Sequence, residues 1–408
     1  MRIVKQCIAV MVCANILTLA NAQDKDTTQK KAWPFGPVVP AQISFAPGVG
    51  TNGRQVLDIR GVSFNVLGGK NNSVTGFEFA GLFNIDQKNV AYTQIAGLFN
   101  TVGGNVLGAQ VAGLFNTVGD SVTRAQVGGL FNTVGKKARG AQIAGLFNTV
   151  GDSVIGIQVA GLYNNVAKSV VGAQVGGLTN IVNGNVQGFQ IGGLVNNVHG
   201  KVTGMTVAGL FNGTKEVAGL QVAGLVNHTK KLKGVQIGLI NIADTSEGCS
   251  IGLINIAKNG FYQFSVYANE TNSVNVAFRS GTKNFYGILL GGANPSDNKR
   301  LYTFGAGFGG AVKLANNISI NPEITSQYMY TGDWQYTNLL QKLSANFNFT
   351  VAKGLTLYAG PSFSVYYTDQ HTDVKDYKQA MPSYGVMHWW DNTYAWFGWT
   401  VGVSFFNN

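Results

Sequence analysis

The chain has 408 residues, of which 55 are glycine and 12% are charged, and its formal net charge is +11. Ordinary soluble domains contain about 7% glycine and about 25% charged residues, so this composition argues against an ordinary soluble globular protein. The basic residues are scattered and form no basic helix or aromatic-interleaved basic run, which argues against nucleic-acid binding.

The first 22 residues have the organisation of a secretory signal peptide. A basic start precedes a short apolar segment, and the small residues Ala20 and Ala22 precede Gln23, where we expect cleavage. We therefore predict an exported protein of a Gram-negative bacterium, with a linker over residues 23–41 and short strands over residues 42–70. No later apolar stretch reaches the ~18 residues of a membrane-spanning helix, so any membrane insertion would use strands.

An internal repeat dominates residues 71–257. The tetrapeptide Gly-Leu-Phe-Asn, or a variant of it, begins at Gly81 and recurs every sixteen residues as far as Gly209. Three shorter copies follow, the last of them at Gly252, which makes twelve copies of a unit of 14–16 residues. A fixed period of this length is typical of stacked repeat folds.

Each unit keeps its polar residues in phase with its apolar ones. A glutamine lies three residues before the repeat glycine in most units, an asparagine three after it, and a valine nine after it. Two turn signals separate two segments rich in valine, isoleucine and phenylalanine, which favour strands. We predict that the asparagines stack as structural ladder residues: Asn84, Asn100, Asn116, Asn132, Asn148, Asn164, Asn180, Asn196 and Asn212.

We predict an all-β fold in which the repeats form a β-solenoid, with identical residues stacked at about 4.8 Å. The alternative is one large outer-membrane β-barrel of about twenty strands, with the glutamine and asparagine rows lining a polar lumen. From Asp120 to Lys201 the charges all lie seven to eleven positions after the repeat glycine, so one edge of the stack should face water. Simple strand alternation places Gln, Leu and Asn on one face and Val, Gly and Phe on the other. It leaves open which face forms the core.

Residues 258–408 have a different character, because tryptophan and tyrosine become frequent and alternation with period two extends over longer runs. The last run sets Phe397, Trp399 and Val401 against Gly398 and Thr400, as in a barrel strand with an apolar outside. About eight candidate strands predict an antiparallel β-barrel-like domain in the outer membrane. A soluble β-sandwich is the alternative.

The long segment 369–392, between the last two candidate strands, would be an extracellular loop of such a barrel. It contains the low-specificity binding candidates His388, Trp389, Trp390 and Asp391. Paired tryptophans beside acids could stack on a sugar ring or hold an ion, and they could equally form an interfacial girdle.

Two parts of the sequence resemble known proteins. The unit Gly-x-Gln-Val-Ala-Gly-Leu-Phe-Asn, seen over 108–116 and with changes over 172–180, resembles the repeats of a bacterial surface-repeat family, whose members are predicted to be exported. That resemblance covers roughly residues 42–300. The segment 395–406 resembles the aromatic-ending strand by which outer-membrane barrels are recognised for assembly, although Asn407 and Asn408 follow the aromatic residue. Neither resemblance implies a catalytic residue.

The sequence offers little for catalysis. Its four histidines form no His-Glu-x-x-His or His-x-His pair, and carboxylates are scarce. We therefore expect no enzymatic activity, no cofactor and no metal. The expected function is surface display, adhesion or envelope structure at the outer membrane or cell surface, and the alternative is an outer-membrane pore or transport protein. Expected partners are outer-membrane lipid and either a surface polysaccharide or another surface protein.

Overall fold

The computed structural model of the chain describes residues 38–296 and 299–406. The regular elements of these residues are all β-strands, and no helix among them is long and apolar enough to cross a membrane. The predicted signal peptide over residues 1–22, most of the predicted linker, and Asn407 and Asn408 lie outside the described part. The described residues divide into two compact units, with the boundary between Lys215 and Glu216.

The first 28 strands form a parallel β-solenoid of about 14 turns, which confirms the solenoid predicted from the repeat. Strands pair in register with the equivalent strand one turn away, so that Gln110 lies opposite Gln126 and Asn116 lies opposite Asn132. A short antiparallel pairing of β2 with β1 begins the stack. The strands are β1 (Val38–Ala46), β2 (Val49–Gly50), β3 (Asp58–Asn65), β4 (Gly68–Asn71), β5 (Ser73–Val74), β6 (Phe77–Ala80), β7 (Phe83–Asp86), β8 (Gln94–Ala96), β9 (Phe99–Val102), β10 (Ala109–Ala112), β11 (Phe115–Val118), β12 (Ala125–Gly128), β13 (Phe131–Val134), β14 (Ala138–Ala144), β15 (Phe147–Val150), β16 (Val154–Ala160), β17 (Tyr163–Val166), β18 (Val170–Gly176), β19 (Thr179–Val182), β20 (Val186–Gly192), β21 (Val195–Ala208), β22 (Phe211–Val217), β23 (Leu220–Ala223), β24 (Val226–Leu232), β25 (Val235–Ile237), β26 (Ile240–Ser246), β27 (Cys249–Ile251) and β28 (Ile254–Ala257).

The apolar part of the solenoid core consists mainly of two rows of valine. One row lies nine residues after the repeat glycine, as at Val106 and Val122, and the other lies five residues after it, as at Val102 and Val118. These side chains are at most 1% exposed. A branched side chain suits this position, because each valine packs on the same residue of the rungs before and after it.

The remaining ten strands belong to a second sheet, in which eight form a closed antiparallel barrel, as predicted. The barrel consists of β29, β30, β31, β32, β34, β35, β36 and β38, and it closes where β29 pairs with β38, with Ser265 opposite Ser404. The short strands β33 and β37 pair with β34 and β38. The strands are β29 (Phe261–Asn269), β30 (Val274–Gly281), β31 (Tyr286–Asn294), β32 (Leu301–Gly309), β33 (Val312–Lys313), β34 (Ile318–Tyr330), β35 (Asn338–Ala352), β36 (Leu355–Thr368), β37 (Met387–Trp390) and β38 (Thr393–Phe405).

This topology decides between the arrangements that the sequence left open. The single large barrel is wrong, because the repeat strands pair in parallel with strands one turn away, whereas a barrel of hairpins pairs antiparallel neighbours. The sandwich is also wrong, because the first and last long strands of the C-terminal sheet pair and leave one closed ring.

Candidate functional site

Two ladders of amide side chains fill the inside of the solenoid. Asn116 donates its Nδ2 to Oδ1 of Asn132 at 2.9 Å and to the backbone oxygen of Val127 at 2.9 Å. Gln126 donates in the same way to Oε1 of Gln110 at 2.8 Å. Because these side chains have no exposed surface, their hydrogen bonds hold the coil together and do not face a ligand. The asparagine row contains Asn84, Asn100, Asn116, Asn132, Asn148, Asn164, Asn180, Asn196 and Asn212.

The Gly-Leu dipeptide turns the chain between the two strands of each rung and decides which residues face inward. A Cβ atom on Gly113 would lie 2.1 Å from the carbonyl oxygen of Gly97 one rung earlier, so a side chain does not fit there. This corner breaks strand alternation. Leu114 therefore points outward with 37% of its surface exposed, while Asn116, two residues later, is fully buried. Glutamine, asparagine, valine and small residues form the inside.

Apolar side chains cover the outside of this corner. The row that follows the ladder glutamine, which includes Ile95 and Val111, is exposed beside it. On the other side, the rings of Phe83 to Tyr163 stack with centroids 4.8–5.2 Å apart and planes within 8° of each other. In the nine rungs that begin at Gly81 to Gly209, the corner itself carries one leucine per rung, each 37–44% exposed. We term these nine residues the leucine edge: Leu82, Leu98, Leu114, Leu130, Leu146, Leu162, Leu178, Leu194 and Leu210.

The charged side chains of the sixteen-residue rungs lie mainly at the opposite turn. Lys136 pairs with Asp120 of the preceding rung at 2.6 Å, and Lys168 pairs with Asp152 at 3.0 Å. The hydrogen bond from Lys168 lowers the pKa of Asp152 below its ordinary value. The solenoid therefore has one water-facing edge with exposed ion pairs and one apolar edge.

The first rungs depart from the ladder chemistry, because they bury carboxyl groups, among them those of Glu78 and Asp86. Glu78 stands three residues before Gly81, where later rungs have the ladder glutamine, and Asp86 stands where later rungs have a core valine. Both are at most 1% exposed, and Gln94 donates to Oε2 of Glu78 at 2.7 Å and also to Asp86. Burial, and then the neighbouring Glu78, raises the pKa of Asp86 well above its ordinary value. The sequence carried this signal, since both acids occupy repeat positions that are otherwise uncharged.

Inward side chains of the barrel form a polar network around a buried ion pair. Arg279 donates from Nε and Nη2 to the two carboxylate oxygens of Glu323 at 2.7 and 2.9 Å. Its Nη1 donates to Ser265 Oγ at 2.6 Å, and the Tyr286 hydroxyl donates to Glu323 at 2.8 Å. All four side chains are buried, so they occupy the lumen and satisfy one another there.

A second buried ion pair lies nearer the end of the barrel where the chain leaves β29. Lys342 Nζ is 2.8 Å from Oε1 of Glu270, and Trp396 Nε1 donates to the same oxygen at 3.0 Å. Both charged side chains are at most 6% exposed. Two ion pairs at different levels therefore fill the lumen.

The long loop 369–392 folds back over that same end of the barrel. Ala380 is fully buried in a cluster with Leu301, Met329 and other inward residues. The loop is also tied to neighbouring connections, since Arg300 donates its backbone N–H to the carbonyl of Asp376 at 3.0 Å. The lumen is thus covered by the loop at this end.

A polar cavity of about 170 Å³ lies at this loop, and His371, Asp373 and Lys378 are among the residues that line it. Burial, and then the nearby Lys299, lowers the pKa of Lys378. Within residues 38–296 and 299–406, no group of three or more His, Cys, Asp and Glu side chains is placed to hold a metal ion.

The last coil of the solenoid contacts the other end of the barrel. Asn255, in β28, donates its backbone N–H to Ser280 Oγ at 3.0 Å. A Cβ atom on Gly287, in β31, would lie 2.4 Å from the carbonyl oxygen of Gly252, so the two backbones approach closely. Both barrel residues flank the short turn between β30 and β31, so this end of the barrel is covered by the coil.

The outside of the barrel is apolar, and strand β35 shows the pattern most clearly. Leu343, Phe347 and Phe349 point outward and are 55%, 52% and 47% exposed. The alternate residues of this strand point inward and are buried. These inward residues are Lys342, Ser344, Asn346 and Asn348. Around the two ion pairs the barrel is therefore polar inside and apolar outside, the reverse of a water-soluble domain. Apolar clusters that include Leu301 and Ile288 are also buried inside it.

The four loop candidates lie on or next to β37. Trp389 and Trp390 are 45% and 71% exposed, and the ring of Trp389 packs against the outward Phe363 with centroids 5.7 Å apart. His388 packs edge-on against Tyr394, and the exposed Asp391 follows the strand. The two tryptophans thus extend the apolar outside of the barrel.

One motif that the sequence reasoning missed has the spacing of a serine nucleophile. Residues 248–252 read Gly-Cys-Ser-Ile-Gly, but Ser250 lies in β27 and pairs in register with the ladder residue Gln236. A nucleophile elbow needs a sharp turn from a strand into a helix. Ser250 is instead a ladder position of a late rung.

These observations define a class of structure: a parallel β-solenoid with one apolar edge, joined to a closed eight-stranded barrel whose filled lumen contains two ion pairs and whose outside is apolar. Comparisons with protein-family models, with curated proteins and with solved structures found no match to this chain.

Proposed function

We propose that the protein is a non-catalytic scaffold of a Gram-negative envelope. Its barrel is the anchor in the outer membrane, and its solenoid is an extended, rigid binding surface. The observation that carries this proposal is the inside-out barrel, in which Lys342 and Asn346 point inward while Leu343 and Phe347 point outward. A wall of exposed Leu and Phe is stable in lipid and costly in water.

A scaffold fits the barrel better than a pore or transporter does. Eight strands enclose an interior just wide enough for side chains, and the Arg279–Glu323 and Glu270–Lys342 pairs occupy it. The loop 369–392 and the last coil cover its two ends. We expect the reconstituted full chain to conduct no ions across a planar bilayer, and a steady channel conductance would contradict the scaffold.

The connections between strands support a particular side of the membrane for the last coil. Barrels of this type have short turns in the periplasm and longer loops outside the cell. The longest connection, 369–392, lies at one end, whereas the last coil contacts Ser280 and Gly287 beside a short turn at the other end. The proposed location of the solenoid is therefore the periplasm, which favours envelope structure over surface display.

Labelling of single cysteines on intact cells tests both the anchor and the side. In a Cys249→Ser background, Ser383→Cys places a thiol in the exposed loop, and Lys231→Cys places one on the solenoid, where the native side chain is 41% exposed. A membrane-impermeant maleimide should label Ser383→Cys on intact cells. It should label Lys231→Cys after the outer membrane is permeabilised.

Two different outcomes would contradict the proposed side of the membrane and the proposed anchor. Labelling of Lys231→Cys on intact cells, with protection of Ser383→Cys, would retain the anchor and reverse the side. Recovery of the wild-type chain in a soluble fraction, without outer membrane, would overturn the anchor.

A further inference from the structure

The leucine edge is a long apolar surface that remains exposed among residues 38–296 and 299–406. Nine leucines at successive rungs span about 40 Å at the ~4.8 Å spacing of paired strands. The exposed Ile95 and Val111 row and the Phe83 to Tyr163 stack widen the strip on both sides. Soluble monomers rarely expose apolar patches above about 300–600 Å², and larger ones mark interaction sites.

The period of this surface restricts what can cover it. Its ridges repeat at the strand spacing, which the phenylalanine centroid distances of 4.8–5.2 Å record directly. A surface with the same period can insert its side chains between these ridges along the whole length, as paired sheets do in dry, interdigitated interfaces. A surface with another period matches over one or two rungs and then loses register.

We propose that the leucine edge binds the leucine edge of a second copy of this chain, which presents the same period. The contact is isologous, with the same strip on both partners, and it forms a homodimer. This inference goes beyond the scaffold and does not depend on the membrane location, because it rests on the solenoid alone.

The chemistry of the leucine edge and its flanking rows disfavours a sugar and a lipid surface as binding partners. A sugar ring stacks on the face of an aromatic ring, but the faces of Phe99, Phe115 and Phe131 are covered by one another at interplanar angles of 3°. Protein surfaces that lie on lipid place lysine and arginine beside the apolar strip. Here the charges, such as Asp120 and Lys136, lie at the opposite turn of the rung.

Charge substitution tests the proposal on the full chain. The triple variant Leu130→Lys, Leu146→Lys, Leu162→Lys puts three positive charges on the edge at positions that are 38–40% exposed. The matched control carries Leu107→Lys, Ile155→Lys and Val171→Lys, which replace apolar residues that are 41–46% exposed outside the edge. Light scattering of the purified chain in mild detergent should give a dimer for the wild type and the control, and a monomer for the edge variant. A monomeric wild type, or an edge variant that stays dimeric, would overturn the proposal.

Crosslinking tests the proposed homodimer even if the triple variant does not fold. Leu146 is the central leucine of the nine, so its two copies lie near the twofold axis whether the partners run parallel or antiparallel. In a Cys249→Ser background, a short bismaleimide should give covalent dimers of Leu146→Cys and leave Lys136→Cys monomeric, although the native Lys136 side chain is 64% exposed. Dimers of Lys136→Cys in equal or greater yield would contradict the proposal. A second result would also contradict it: lipid vesicles are added to a monomeric chain with an environment-sensitive dye on Leu146→Cys, and the emission of the dye shifts to that of an apolar environment.

Discussion

The solenoid and the barrel both bury polar side chains, but they satisfy them in different ways. In the solenoid, the amide of Asn116 bonds to the identical amide of Asn132 one rung later, and each rung repeats the arrangement. In the barrel, Arg279 and Glu323 are a unique pair, 44 positions apart in sequence. In the ladder, the same hydrogen bonds repeat from one rung to the next, so every member has the same neighbours. The barrel network works by exact complementarity of a few different groups.

This difference predicts how each region responds to the loss of one side chain. A ladder position is interchangeable with its equivalents, and its groups are neutral amides. A barrel ion is irreplaceable, and its loss leaves an opposite charge buried without compensation. We therefore expect the largest energetic effects in the barrel interior and smaller, uniform effects along the ladder.

The largest effect is expected for Glu323→Ala. It leaves the Arg279 guanidinium buried without its counter-ion, which should cost about 3–5 kcal/mol of unfolding free energy. Urea unfolding of the reconstituted full chain, followed by tryptophan fluorescence, measures this directly, because the tryptophans lie outside the repeats.

Two controls accompany that measurement. Asp152→Ala breaks an ion pair whose lysine is 65% exposed and should leave the urea midpoint of unfolding nearly unchanged. The double variant Arg279→Met, Glu323→Leu removes both charges and should recover much of the loss. If Glu323→Ala and Asp152→Ala destabilise the chain equally, loss of the buried barrel pair is no more harmful than loss of an exposed pair, which would contradict this prediction.

An intermediate effect is expected for Asn132→Ala. It removes hydrogen bonds to Ile143 O and Asn148 Oδ1 and leaves buried partners unsatisfied, at a cost of about 2 kcal/mol. Because Asn148 makes the same contacts one rung later, Asn148→Ala should lower the unfolding free energy by the same amount, within about 0.5 kcal/mol. Circular dichroism during urea unfolding can compare the two variants. A large difference between them would break the equivalence of the rungs.

The sequence predicted much of the solenoid, because its period appears as a strict spacing of Gly, Leu and Asn. It could not identify the core face, since the Gly113-Leu114 corner turns Leu114 outward while Asn116 stays inward. That corner depends on contact with Gly97 of another rung, which local alternation does not contain. The eight barrel strands were likewise visible as alternating runs. Their ion pairs were not, because the meeting of Arg279 and Glu323 depends on the register around the closed ring.

The smallest effect is expected at the first rungs, where Asp86 occupies the position of a core valine in later rungs. Its folded pKa is raised above the ordinary value near 3.8, so the folded state favours the protonated carboxyl group. The stability of these rungs should therefore be complete below that value and decrease as pH rises from it toward the raised pKa. Hydrogen exchange of residues 77–90, corrected for intrinsic rates, should show falling protection across this window.

Asp86→Asn is neutral at every pH and should remove that dependence. Asp152 provides a control of opposite sign, because its pKa is lowered. Its contribution is present above the ordinary value and is lost as pH falls toward the lowered pKa. Unchanged pH dependence in Asp86→Asn would show that another group titrates in the first rungs.

The most direct measurement of the central claim is the environment of the outward side chains of the barrel. In a Cys249→Ser background, spin labels at Leu343→Cys and Phe347→Cys point outward, and a label at Ser344→Cys points inward. After reconstitution of the full chain in liposomes, the account predicts frequent collisions of the two outward labels with oxygen and rare collisions with a water-soluble nickel complex. Frequent collisions of those labels with the nickel complex would place the apolar wall in water and contradict the membrane anchor.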